Sequence, residues 1–192
     1  MKRSSRSAGL AVAGLLALRA PRAAGAQEQY QGLPLAPYEI YQAVVGYAAD
    51  QNFDALGKSL KHFPGLIQAL SNHCGKDLQA GLEQALLKKD GLATRRALME
   101  MIFADFSLNL SQAVATPERS ARRERLEMAY VDLTFLARDA RAVNPGIVDD
   151  TRSGLTRLAK LDEHKEIEAG AKAIRQRLSE TVPHCEPPAV AP

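Results

Sequence analysis

Tryptophan is missing from this chain, and it has only five phenylalanines and five tyrosines. Sheets favour aromatic and β-branched residues, so a sequence rich in leucine and alanine points to helices. Cysteine is also scarce, with only Cys74 and Cys185. Two cysteines are too few for a disulfide-dense scaffold or an all-cysteine zinc site, and no C-x-x-C-H run offers covalent haem attachment. Catalytic signatures are lacking as well: there is no G-x-S-x-G, S-x-x-K or H-E-x-x-H motif and no glycine-rich phosphate loop. Neither Glu163 nor Glu166 has a histidine three residues on, which a di-metal helical bundle requires. The chain reads as non-enzymatic, with no cofactor expected.

The apolar run Ala8 to Leu18 is eleven residues long, whereas a spanning helix needs about 20. Lys2, Arg3 and Arg6 precede it, and Ala24-Gly25-Ala26 follows as an A-x-A cleavage site. Residues 1–26 are therefore expected to be a cleaved secretory signal peptide, which places the mature protein in the periplasm or outside the cell. No transmembrane helix is expected in the mature chain. The signal also accounts for the positive charge. Removing its five basic residues, Lys2, Arg3, Arg6, Arg19 and Arg22, from the total of 25 leaves 20 against 22 acidic residues, a net charge of −2. A basic protein seeking nucleic acid is excluded on that balance.

What remains is periodicity. Residues 27–36 read as an extended leader, 37–182 as one helical domain, and 183–192 as a proline-rich tail. Pro37 opens a helix to about residue 49, carrying Tyr41, Val44 and Val45. Asp50 or Asn52 caps a short second helix, and Pro64 opens a third. Leu78 to Leu110 then forms an antiparallel pair meeting at Asp90-Gly91, with Gly91 in the left-handed position that ends a helix. Within this pair, Asp105 and Asn109 fall beside the apolar stripe and read first as a solvated edge, with the polar lining of a groove as the alternative. Thr116-Pro117 signals the start of a long helix reaching about Arg141, on a stripe of Leu126, Tyr130, Leu133 and Leu136 or Ala137. Asn144-Pro145 repeats that start signal, and a last helix runs from about Asp162 to Glu180. The expected fold is an irregular all-α bundle of six to eight helices built on the central pair.

Four groups of residues are candidate sites. Cys74 and Cys185, in an oxidising compartment, are expected to form a disulfide; closing a loop of about 110 residues would contribute about 4–5 kcal/mol. Each cysteine follows a histidine, so His73, Cys74, His184 and Cys185 together offer zinc- or copper-type donors, though adjacent ligands lack the usual chelate spacing. Non-covalent haem would need His62, His73, His164, Met99, Met101 or Met128 as axial ligands. Arg119, Arg122, Arg123 and Arg125 form a dense basic group, self-paired with Glu118, Glu124 and Glu127 or open to an acidic partner or anionic lipid headgroups.

Taken together, these features describe an exported protein-interaction or envelope-assembly accessory with a protein partner. The alternative is a carrier of a small ligand, metal or haem, using the bundle interior or the His-Cys dipeptides.

Overall fold

The computed structural model describes residues 37–182, and among these eight helices and no strand are found. They are α1 (Pro37–Ala49), α2 (Phe53–Leu60), α3 (Pro64–Cys74), α4 (Leu78–Leu87), α5 (Gly91–Ala115), α6 (Arg119–Val143), α7 (Ile147–Leu158) and α8 (His164–Ser179). The segments expected from the sequence to be a signal peptide (1–26), a leader (27–36) and a tail (183–192) lie outside the described residues. No helix of the described part is long and apolar enough to cross a membrane.

Local chemistry sets most of the boundaries. Asn52, Asp77 and Asp90 each accept a hydrogen bond from the backbone N–H three residues on, at 3.1, 2.9 and 3.0 Å, and so cap α2, α4 and α5. Pro64 stands at the start of α3, where its missing N–H is harmless. α3 ends on Gly75 at φ 64°, with Lys76 N–H bonded back to Ser71 O at 3.2 Å. That is the Schellman closure, in which a left-handed residue satisfies the last carbonyls.

Three sequence expectations change here. The left-handed residue after α4 is Lys89, at φ 51°, and Gly91 is instead the first residue of α5. Thr116 ends α5 and does not start α6: its hydroxyl donates to Gln112 O at 2.7 Å, and α6 begins at Arg119. Similarly, Asn144 closes α6, while its Oδ1 accepts from Gly146 N–H at 3.1 Å in the turn into α7.

α5 is the axis of the bundle. It packs antiparallel to α4 across the short link at 88–90, and it also touches α1, α3, α6 and α8. Its most extensive contact is with α6, which is likewise antiparallel, since Arg95 pairs with Asp139 while Asn109 meets Asp132. Surrounded in this way, α5 buries Leu98, Met99, Met101, Ile102, Phe103, Phe106 and Leu110 from several sides. α7 and α8 cross closely at two glycines: a Cβ on Gly170 would lie 2.5 Å from Leu158 Cδ2, and one on Gly154 2.8 Å from Ile174 Cδ1.

Candidate functional site

The bundle centre is polar beside a stripe that the sequence pattern builds from Leu98, Met99, Ile102, Phe103, Phe106 and Leu110. Asp105 and Asn109 on α5 and Asp132 on α6 are all fully buried, which corrects the expected solvated edge. Tyr41 from α1 donates its hydroxyl to Asp105 Oδ2 at 2.6 Å. Asn109 uses its single amide nitrogen twice, donating to Asp105 Oδ1 at 3.2 Å and to Asp132 Oδ2 at 3.0 Å. Two carboxyl groups are thus bridged by one neutral amide. Burial, and then the charge of Asp105, push the Asp132 carboxyl well above its ordinary range, and the Asn109 bond opposes them. Asn109 Oδ1 and Asp132 Oδ1 are both buried and have no hydrogen-bond partner.

Asp132 escapes sequence reasoning because a lone aspartate within a charged helix reads as surface. The signal was present in register: Ala129, Asp132, Leu136 and Ala140 fall on one face of α6 and are all buried. Tyr130, expected on the inner stripe, is instead 42% exposed, with the Arg152 guanidinium 5.6 Å from its ring centre.

A second polar group joins α3, α5 and α8. His73 Nε2 lies 3.2 Å from Ser107 Oγ, and Ser107 is fully buried. Arg175 Nη2 donates to Ser111 Oγ at 2.8 Å and to Ser107 O at 3.4 Å. Burial and the adjacent Arg175 charge hold the His73 imidazole below its ordinary pKa, and burial also lowers that of Arg175. Serine and histidine are in contact here, with Ser107 fully buried and His73 half-buried. The cluster ties three helices together.

The four sequence candidates fall in different places. Cys74 is buried at the end of α3; His184 and Cys185 lie outside the described residues, so no disulfide joins two described residues and the His-Cys pairs are not seen together. His73 faces Ser107. Among the described residues, no group of three or more His, Cys, Asp or Glu is arranged to hold a metal ion. His62 and His164 are exposed, Met99 and Met101 are buried, and Met128 is half-buried.

The arginine group divides. Arg122 turns inward, donating to Leu161 O at 2.8 Å, and its Nη2 lies 3.9 Å from Asp162, which Arg119 also approaches at 3.6 Å. Arg123 stays exposed and Arg125 is half-buried. Arg119 and Arg122 thus face Asp162 in the α7–α8 link, outside their own helix.

The surface carries a groove of about 590 Å³ between α2, α3 and α4. Leu60, Ile67 and Leu82 form its buried floor, with Phe53, Leu86 and Leu87 along its side. Leu87 is 86% exposed, and Asp54, Lys58, Lys61 and Glu83 supply both signs of charge around the rim. The helical spacing puts Leu78, Leu82, Ala85 and Leu86 on the inner face of α4; Leu78, Leu82 and Ala85 are buried, and Leu86 is half-buried against the core while also forming this wall.

No family model, no curated protein and no solved structure matches this chain.

Proposed function

We propose that this protein is an exported, non-enzymatic interaction module whose α2–α3–α4 face takes up an amphipathic helix of a partner protein in the cell envelope. One observation carries the reading: an apolar groove of about 590 Å³ whose wall ends in a leucine left 86% exposed. A helix laid in a groove is read through apolar anchors on one face, with charges alongside. α4, at ten residues, is about 15 Å long and matches roughly three turns of such a partner. Lys58 and Lys61 complement acidic residues of the partner, and Asp54 and Glu83 complement basic ones. Export follows from the signal read in residues 1–26, and a Cys74–Cys185 disulfide would fasten the tail to the end of α3. Arg123, exposed on α6, remains available to an acidic partner.

Native mass spectrometry without reductant, on protein recovered from the envelope or medium, tests this reading. The expected species begins at Gln27, is two hydrogens light, and carries a second polypeptide of defined mass. Leu87→Glu should remove that polypeptide and leave the helical content unchanged. A complex indifferent to Leu87→Glu, or a chain holding metal, haem or a small ligand and no polypeptide, would overturn the proposal.

A further inference from the structure

The buried centre poses a problem that the interaction surface does not touch. Asp132 is fully buried and is reached by one donor, the Asn109 amide, whose other hydrogen goes to Asp105. The remaining oxygens, Asn109 Oδ1 and Asp132 Oδ1, are acceptors without a donor. A buried acceptor left unmatched is costly, and a buried unpaired charge much more so. Among the described residues, the groups that act on the Asp132 carboxyl are Asp105 and Asn109, and neither is a cation. Asp105 faces it from α5, and Tyr41 of α1 is committed to Asp105. On its own helix, Asp139 is paired with Arg95, and Arg125 lies about two turns away, roughly 10 Å along the axis. The cluster therefore has one donor too few, and a single hydrogen supplies it.

We propose that the Asp105–Asn109–Asp132 cluster is a site for one proton, carried by Asp132 as a neutral carboxylic acid at neutral pH, while Asp105 stays the partner of Tyr41 and Asn109. The folded protein then holds a proton that the unfolded chain has already released. A carboxyl raised in the folded state is protonated there and ionised in the unfolded chain between the ordinary carboxylate pKa and the folded one. Folding takes up the proton across that window, so the fold loses stability as pH rises through it, up to about tenfold in the unfolding constant per pH unit. Above the window a second charge stands between α5 and α6, and the seam between them is the part that loosens.

The test is a carbon-13 NMR titration of protein labelled at the aspartate carboxyls, with urea unfolding run in parallel at each pH. One buried carboxyl should report the protonated form at pH 7, and its signal should vanish in Asp132→Asn, which keeps the shape of the side chain. Unfolding of Asp132→Asn should lack the fall in stability seen in the parent over the same window. If no carboxyl is protonated at pH 7 in the parent protein, the proposal is wrong, even should the variant fail to fold. A protonated signal that survives Asp132→Asn and disappears in Asp105→Asn would place the proton on the other partner and overturn the assignment. Stabilisation of the parent by sodium over choline at equal ionic strength would mean that a metal cation occupies the site in place of a proton.

Discussion

Lys89→Gly should make this protein more stable, although glycine within a helix ordinarily weakens it by enlarging the unfolded ensemble. Lys89 sits at φ 51°, with its N–H bonded to Leu86 O at 3.0 Å and the next N–H, of Asp90, bonded to Ala85 O at 3.2 Å. The same closure ends α3, where Gly75 at φ 64° occupies the equivalent place. A side chain in the left-handed region costs about 1–2 kcal/mol, because its Cβ crowds the carbonyl. Glycine removes that crowding but gives back roughly 0.5–1 kcal/mol in chain entropy. The net gain is about 0.5–1 kcal/mol, or roughly 1–4 °C in Tm for a domain of this size. Lys89 is exposed, so its removal should sacrifice little packing. Urea unfolding followed by circular dichroism reads the change, with an unaltered slope showing that the unfolded state is comparable. Gly75→Ala is the reciprocal control and should lose about 1 kcal/mol. Should Lys89→Gly prove neutral or destabilising while Gly75→Ala costs stability, the strain assigned to Lys89 would be refuted.

Other consequences follow from specific contacts. Nothing lies within 4 Å of a Cβ placed on Gly81, whereas one on Gly170 would meet Leu158 at 2.5 Å. Gly81→Ala should therefore gain up to about 1 kcal/mol of helix propensity, and Gly170→Ala should lose that gain to overpacking and come out neutral to about 2 kcal/mol worse; thermal unfolding separates the two. His73 is held below its ordinary value by burial and by Arg175, so the unfolded chain takes up a proton before the folded one does. Its contribution is complete above pH 6.5 and is lost as pH falls toward the folded value. His73→Asn should flatten stability over that acidic window, as read by urea midpoints. Phe106→Ala, at a fully buried position on α5, should cost about 3–5 kcal/mol by leaving a cavity, and an unchanged urea midpoint would show that α5 is not the axis.

The class of fold and most of the helix starts were legible in the residues alone, because those signals act within four residues. Asn52, Asp77 and Asp90 reach only their own first turns, Pro37 and Pro64 act on their own backbone, and the helical spacing of Leu98, Ile102 and Phe106 belongs to one helix. Where two local solutions were equally good, the sequence did not choose between them. Thr116 is as suited to closing α5 as to opening α6, and its bond to Gln112 O settled the matter. The left-handed turn fell on Lys89 although a glycine stood two residues on, because α4 ends where its apolar face runs out.

The polar centre and the groove depend wholly on partners distant in sequence. Tyr41 meets Asp105 across 64 residues, Asn109 meets Asp132 across 23, and Arg175 meets Ser111 across 64. An aspartate beside an apolar stripe is cheap in water and costly in a core, and the packing of α6 against α5 decided which medium Asp105 and Asp132 occupy. The groove followed in the same way: Leu60, Ile67, Leu82 and Leu86 are ordinary inward leucines and isoleucines in sequence, and three short helices of unequal length left one flank of them uncovered.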